Sequence, residues 1–506
     1  MTVLETVQAA EVAIRQTPAT ARNLRVLVVD LNKMTTFPTL AVGILVSALR
    51  ARGHGVDVIC PLALGVPAAE RERQETLYDH VHRRIRLSDF PAVTALRDAV
   101  RAPREWLEHR PRPVVLHEVD AALDEADIVL LSAYLDHFPV VKAIGEKAHI
   151  RGTPVLLGGP MFNLGEVASA WRSLKGITAV VGAEIDRDLP DLVQAAVAGE
   201  PLTVFPGVTL PDGTRGKPAG PLRNLDATPI PDYGDFPWDR YPVRIVPVMT
   251  GRGCQWDKCT FCSDVISASG RTFRTRSLEN VLIELQTQAE RHNAKDFIFL
   301  DLKLNSFPGM FRGLARELRT RVRGAEWIGT VHVDGRKDNG LSRRDLFDAA
   351  SGGMRRISFG LESGSQRLLD AMDKGCTVER NAEFLKNAHE AGLSVRCTMF
   401  KGYPGETAED MEATADFLEA NAEFIDRIRF NAFMVPIGTP IEQALLEKAE
   451  GRLHLTGTDD RRARALYGSR GPGRAYRRAK ARALDVVYQI NRKPLRENAR
   501  QFDGTM

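Results

Sequence analysis

MTGRGCQWDKCTFCSD, residues 249–264, sets three cysteines within nine positions: Cys254, four residues, Cys259, two residues, Cys262. In a reducing compartment a cluster this tight points to a metal before it points to disulfides. Thiolate sulfur suits zinc and iron–sulfur centres. A structural zinc site takes four protein ligands, and neither a second CxxC pair nor an HxxxH pattern stands nearby. A 4Fe–4S cluster also needs four ligands, one per iron, so three cysteines leave one iron open to a small molecule. The triplet therefore reads as a chemical site, with structural zinc as the alternative.

Working outward, the loop follows RIVPVMT (244–250), the first of six strand candidates. The others are DFIFLD (296–301), EWIGTVHV (326–333), RRISFGL (355–361), LSVRCTMF (393–400) and DRIRFNAFMV (426–435). Helical stretches separate them, such as SLENVLIELQTQAERH (277–292) and RNAEFLKNAHEAG (380–392). Six such units predict a partial barrel over residues 244–440, with its site at the carboxyl ends of the strands. Residues 441–506 follow as a basic, helical C-terminal region. There Tyr476, Ala479, Ala483, Val486 or Val487, and Ile490 share one helix face. The preceding GSRGPGR reads as a loop.

Upstream, LRVLVVD (24–30), GHGVDVIC (53–60), ADIVLLSA (126–133), TPVLLGG (153–159) and ITAVVGA (177–183) are short apolar runs alternating with helical segments. That pattern predicts a doubly wound, Rossmann-like α/β domain over residues 24–199, whose ligands sit beyond the strands' carboxyl ends. Residues 1–23 read as a lead-in, and 200–243, dense in Pro, Gly and Asp, as a linker wrapping between two domains.

A chain of 506 residues is too long for one compact domain. Its 43% hydrophobic and 26% charged residues exclude global disorder and collagen-like or coiled-coil classes. No apolar run is long enough to span a bilayer, and the N-terminus lacks a secretory pattern, so a cytoplasmic setting is expected. The net charge of +4 is unevenly placed: residues 451–506 hold 14 Lys+Arg against 5 Asp+Glu. That tail reads as a solvated helix face, or as a docking surface for an acidic substrate or carrier. Nucleic acid is disfavoured, since no RNA or DNA motif accompanies it. Cys60, Cys376 and Cys397 read as small buried hydrophobes.

The three-cysteine loop after the first strand of a six-unit barrel resembles the radical S-adenosylmethionine (radical SAM) superfamily. The usual spacing there is CxxxCxxC; this chain has one extra residue in the first gap, and Trp256 fits the aromatic found in branches with the longer gap. FGLESGSQRLLDAMDKG (359–375), KGYPGETAEDMEAT (401–414) and PIGTP (436–440) are similar to the segments after the family's fourth, fifth and sixth strands. The resemblance implies a 4Fe–4S cluster on Cys254, Cys259 and Cys262, with the open iron chelating S-adenosylmethionine. It implies that Phe261 packs near adenine and that Asp301, in Asp301-Leu302-Lys303, lies where the methionine amino group binds. Glu362 and Ser365 would contact ribose or carboxylate, Arg396 would pair with carboxylate, and Pro404 and Gly405 would shape the adenine pocket. Simpler roles exist for several: Glu362, Ser365 and Asp301 as helix caps, Gly402 and Gly405 as turn glycines, His332 and Asp334 as structural hydrogen-bond partners.

The N-terminal segments and the phrase LRNLDATPIPDY are similar to the cobalamin-binding domain that precedes the barrel in one radical SAM branch. By that resemblance Gly158 and Gly159 let backbone approach a corrin ring, and Ser132, Tyr134 and Leu135 end the neighbouring strand. The DxHxxG signature of histidine-ligated cobalamin proteins is absent, which implies a histidine-off cobalamin; His137 has the wrong spacing for that motif. The implied activity is a cobalamin-dependent methyltransferase, using one S-adenosylmethionine to methylate the corrinoid and another to generate a radical. The substrate would be a small molecule or peptide, acidic or carrier-bound, in secondary metabolism, with a flavodoxin or ferredoxin as electron donor. The alternatives are a non-methylating rearrangement, cyclisation or oxidation on the same cofactors, and a non-catalytic cobalamin-binding protein with a vestigial cluster. Methylthiolation is disfavoured, because the N-terminal domain has only Cys60 and cannot hold a second cluster.

Overall fold

The computed structural model describes residues 22–32, 36–66, 73–270, 272–335, 340–447, 453–469 and 473–504. Most of the lead-in and the middle of GSRGPGR lie outside the described residues. The chain forms two α/β units and a C-terminal appendage. The first unit runs β1 (Arg25–Asp30), α1 (Leu40–Arg50), β2 (Gly55–Ile59), α2 (Leu77–Arg86), α3 (Pro91–His109), α4 (Pro113–Ala122), β3 (Ile128–Ser132), α5 (Phe138–Arg151), β4 (Val155–Gly158), α6 (Gly165–Arg172), β5 (Ala179–Val181), α7 (Leu189–Ala198) and β6 (Val208–Thr209). Its sheet order is β2-β1-β3-β4-β5-β6. Five strands are parallel and β6 is antiparallel. Val26 and Val28 of β1 face one apolar layer while Leu27 and Val29 face another, so both faces are covered. The doubly wound expectation holds. Residues 208–209 extend this sheet, so the first part of the 200–243 stretch is built into the first unit.

The second unit runs β7 (Ile245–Val248), a short ribbon of β8 (Gly251–Arg252) and β9 (Arg274–Thr275), α8 (Leu278–His292), β10 (Asp296–Phe299), α9 (Pro308–Arg321), β11 (Glu326–Val331), α10 (Arg343–Ser351), β12 (Met354–Glu362), α11 (Gln366–Ala371), α12 (Val378–Glu390), β13 (Ser394–Lys401), α13 (Ala408–Ala420) and β14 (Arg427–Ala432). Its six-stranded sheet is parallel and in sequence order, from β7 at one edge to β14 at the other. This is the open barrel that the six apolar runs imply. Ile245, Ile298 and Ile328 cluster with Phe502 and with Phe37, which comes from the loop after β1 of the first unit.

The appendage holds β15 (Val435–Pro436), α14 (Pro440–Glu447), β16 (Leu453–Asp459), β17 (Arg464–Ser469) and α15 (Arg474–Asn491). The helix buries Tyr476, Ala479, Ala483, Val487 and Ile490. The antiparallel sheet β15-β17-β16 is an addition that the sequence reading does not contain. Part of the tail's basic charge is paired within the chain: Arg482 pairs with Glu412, Asp416 and Glu419. Lys480 is buried against Asp89, which also takes Lys401 from the end of β13. Asp89 and Arg86 flank the junction of α2 and α3, and Arg86 reaches the carbonyl of Phe430 (3.2 Å) on β14. The crossover between β2 and β3 thus extends across to the barrel.

Candidate functional site

The cysteine loop leaves β7 at the carboxyl end of the barrel and is held at several points. The Asp301 carboxylate accepts from the amide of Thr250 (3.1 Å), its hydroxyl (2.6 Å) and the amide of Gly251 (2.8 Å). Burial pushes this carboxyl up to about 6, against those hydrogen bonds. Asp301 caps no helix here; it ties down the first turn of the loop. Farther along, Trp256 donates its indole N–H to the carbonyl of Asp373 (2.6 Å) and stacks near His332 (centroids 6.0 Å apart). Its ring lies so close to Gly375 that a Cβ there would come within 2.0 Å of it. Thr260 donates its amide to the carbonyl of Met372 (3.0 Å), and its hydroxyl meets that of Tyr403 at 2.8 Å. Within the first gap Asp257 takes a left-handed backbone conformation, φ +44°.

All three cysteine thiols are free of disulfides and half-buried. Burial raises Cys259 to about 11, opposed by the ammonium of Lys374. Burial raises Cys262 to about 12, and the nearby Asp264 adds to that. Such thiols become thiolates when a cation takes the place of their protons. Among the described residues no three Cys, His, Asp or Glu side chains close on one metal-sized point. The donor set fits an iron–sulfur cluster by chemistry: three thiols on one braced loop beside a buried cation.

That cation is Lys374, paired with Glu362 at 3.0 Å; both are buried. It sits 5.7 Å from the Phe261 ring centroid. Glu362 ends β12 with φ +58°, a backbone conformation that a non-glycine residue adopts at a cost of about 1–3 kcal/mol. Phe261 packs edge-on to Phe400 (5.3 Å), and Phe433 and Tyr403 complete the aromatic wall. Pro404 and Gly405 follow Tyr403 in the turn after β13, where the Gly405 carbonyl accepts from Arg367 at 2.9 Å. Ser365 is the N-cap of α11, accepting from the amide of Leu368 and donating to Asp410 (2.6 Å). Glu362 caps no helix. His332 meets the carbonyl of Lys374 at 2.9 Å, and Asp334 pairs with Lys303 at 2.6 Å in full burial. Arg396 needs correction. It sits three residues into β13, in register with Ser358 and Arg427, and the strand runs five residues farther before reaching the mouth. At about 3.3 Å per residue that is some 16 Å from the strand's end.

The carboxyl edge of the first sheet lies against this loop. The amide of Ala268 donates to the carbonyl of Pro160 (2.9 Å), and the Asn163 amide group donates to the carbonyl of Ile266 (2.8 Å). Arg252, two residues before Cys254, pairs with Glu184 (3.0 Å) and Asp186 (2.5 Å), which follow β5. Arg274 of β9 shares Glu184 at 2.6 Å. Ser132 pairs in register with Asp30 and Gly158. A Cβ on Gly159 would stand 2.1 Å from the carbonyl of Ala133, so that glycine is required by strand-end packing. Tyr134 is 54% exposed and Leu135 opens a short helical turn. His137 accepts the amide of Tyr134 at its Nδ1 (3.1 Å). Burial raises Asp30 to about 6. Thr36 and Asn163, in loops after β1 and β4, each bury a side-chain oxygen with no hydrogen-bond partner among the described residues. Buried side-chain oxygens without partners among the described residues and an exposed tyrosine on one sheet edge fit a ligand bound there.

Lys374, the Trp256 stack and the Arg252 clamp are missing from the sequence reading. Lys374 stands inside the quoted MDKGC stretch, but only the fold shows it meeting Cys259. Cys376 is buried as expected, yet it also lies within electrostatic reach of Cys259 and Lys374.

Residues 248–418 match the radical SAM superfamily. Over 273 residues the chain is 32% identical to an uncharacterized methyltransferase of Pyrococcus horikoshii, covering 52% of this chain and 57% of that protein. The chain thus spans little more than half the length of that relative. The fold is similar to the radical S-adenosylmethionine methyltransferase TsrM of Kitasatospora setae, solved with cobalamin and a [4Fe-4S] cluster: TM-score 0.64, 16% identity, 92% of this chain and 91% of that one. It is also similar to the cobalamin-dependent S-adenosylmethionine radical enzyme OxsB: TM-score 0.63, 16% identity, 91% of this chain and 66% of that one.

Proposed function

We propose that this chain, whose barrel is a radical SAM domain, is a cobalamin-dependent methyltransferase acting on an unactivated centre of a small-molecule or peptide substrate. The observation that carries the reading is the apposition of two strand-end surfaces: the three-cysteine loop of the barrel is clamped through Arg252 to Glu184 and Asp186 at the carboxyl edge of the doubly wound sheet. The likeness to TsrM over 92% of the chain supports the same two-unit arrangement.

Cys254, Cys259 and Cys262 would hold the cluster. When bound, the cluster supplies the electron that cleaves a carbon–sulfur bond of S-adenosylmethionine, and the corrinoid supplies the methyl carrier. The chain's own residues hold, orient and exclude water. Lys374 places a buried positive charge beside Cys259, and Glu362 balances it. Phe261, Phe400, Tyr403 and Phe433 form an apolar wall suited to an adenine face. Trp256 over Gly375 closes the loop's outer side. On the opposite surface Ser132, Tyr134, Leu135, Gly158 and Gly159 line the sheet edge.

The test is anaerobic reconstitution with iron and sulfide, quantification of bound corrinoid, then incubation with S-adenosylmethionine and a reductant. The proposal expects 5′-deoxyadenosine, bound corrinoid and a product heavier than its substrate by one methylene equivalent. 5′-Deoxyadenosine without bound corrinoid would keep the barrel's role and remove methyl transfer by this route.

A further inference from the structure

The barrel strands alternate between a helix-covered face and a concave face. Ile357 and Phe359 of β12, Val395 and Cys397 of β13, and Ile428 and Phe430 of β14 pack into the helix-covered core. Alternation therefore turns Ser358, Gly360, Arg396, Thr398 and Arg429 to the concave face. Their register sets them in two layers: Ser358 beside Arg396, and nearer the mouth Gly360, Thr398 and Arg429. The wall formed by β10 and β11 is apolar, with Ile298, Leu300 and Ile328.

The layer nearer the mouth is hollow. β13 lies between β12 and β14, yet Thr398 is exposed while Cys397 and Met399 on either side of it are buried. The hollow ends beneath the ion pair beside the cysteines: a Cβ on Gly360 would overlap Oε1 of Glu362 and stand 2.9 Å from Nζ of Lys374. Ser358, only 7% exposed, buries a hydroxyl that has no hydrogen-bond partner among the described residues. Such a hydroxyl is costly unless a ligand completes it. The acids at the mouth and floor are already paired: Glu362 with Lys374 (3.0 Å), Asp334 with Lys303 (2.6 Å) and Asp503 with Arg356 (2.8 Å). Arg429, exposed on the edge strand, has no carboxylate partner among the described residues, and the guanidinium of Arg396 is buried one layer below. The hollow is thus basic on one wall and apolar on the other.

We propose that the methyl-accepting substrate is an apolar carboxylic acid, whose carboxylate is held by Arg429, Thr398 and Ser358 while its apolar body lies against Leu300 and Ile298. The Thr398 layer lies two residues below Glu362, about 7 Å along the strand. A carbon a few bonds from the carboxylate therefore reaches the level of the cysteine loop. The methionine carboxylate of S-adenosylmethionine is the other source of such a group, and the experiment separates the two. Naming this substrate class rests on the methyltransferase reading above; the acid site does not.

The test is calorimetric titration of the full-length, anaerobically reconstituted chain with 3-phenylpropionate, 4-phenylbutyrate and hexanoate, each against its own amide. The wild type is expected to bind at least one acid about tenfold more tightly than its amide, the factor that one charge-assisted hydrogen bond supplies. Arg429→Ala and Thr398→Val should each remove most of that preference, and Arg429→Lys should keep part of it. Thr398→Trp, which fills the hollow, should exclude acid and amide alike. Arg429 and Thr398 are both exposed, so Arg429→Ala and Thr398→Val should keep the wild-type denaturation midpoint and iron content. A wild type that favours no acid over its amide, or a preference that survives both variants, overturns the proposal. Variants that lose affinity for S-adenosylmethionine while the acids bind as before assign the carboxylate to the cofactor and overturn it too. Acid preference in a chain that forms no 5′-deoxyadenosine and binds no corrinoid keeps the acid site and removes the methyltransferase reading. 5′-Deoxyadenosine and bound corrinoid without acid preference do the reverse.

Discussion

Replacing Arg252 by alanine should loosen the cysteine loop and destabilise the chain at once. Its guanidinium lies between Glu184 and Asp186, whose side chains are 3% and 7% exposed, and its own side chain is 11% exposed. An exposed ion pair would be worth at most about 1 kcal/mol. Removing one partner from a buried pair costs about 3–5 kcal/mol, because the remaining charge is stranded without water. Here the loss is uneven. Glu184 keeps Arg274 at 2.6 Å and the amide of Leu222 at 2.6 Å, whereas the structure gives Asp186 no other cationic partner among the described residues. The lower end of the range, about 3 kcal/mol, is therefore expected. Urea denaturation of the metal-free chain measures it, and iron content after reconstitution measures the second effect, since Cys254 is two residues away. Combining Arg252→Ala with Asp186→Ala removes the stranded charge, so the double variant should cost less than the two single variants together. A cost under about 1 kcal/mol for Arg252→Ala with wild-type iron content would refute the reasoning.

Serine in place of Cys254, Cys259 or Cys262 should each abolish most iron and sulfide uptake, while Cys397→Ser, buried in β13, should leave uptake unchanged; iron analysis after reconstitution decides. Glu406 is pushed up to about 7 by burial, although Tyr476 and the amide of Gly402 donate to it. Its folded value exceeds the unfolded one, so its contribution to stability is full below about pH 4.5 and is lost as pH rises through 7, up to about 3 kcal/mol in all. Glu406→Gln should flatten that dependence, read from denaturation midpoints at pH 5 and pH 8. Gly375→Ala would drive a methyl into the Trp256 ring at a φ of +70°, so it should shift tryptophan fluorescence and lower cluster loading together; a variant with both unchanged would show that the indole does not brace the loop.

Much of the fold could be read because the two large sheets are parallel except for the short edge strand β6, and parallel strands covered on both faces become unbroken apolar runs such as VLLG or IVLLS. Cysteine spacing exposed the cluster loop because its ligands are neighbours in sequence. Contacts made at long range left no such trace. Lys374 meets Cys259 across more than a hundred residues, and Arg252 finds Glu184 and Asp186 only because two units face each other. Ser365 could be read equally as a ligand or a cap, and the structure uses it as a cap. Arg396 shows what a sequence resemblance lacks, the strand register, which puts this residue near the amino end of β13. The β16–β17 hairpin lies in a segment whose basic composition masks a two-residue alternation.

The central claim is a three-thiolate cluster with one iron open to S-adenosylmethionine. Electron paramagnetic resonance of the reduced, anaerobically reconstituted chain tests it directly. The account predicts a 4Fe–4S signal that changes when S-adenosylmethionine is added. A signal indifferent to that addition, or a preparation in which only zinc occupies the cysteines, would contradict it.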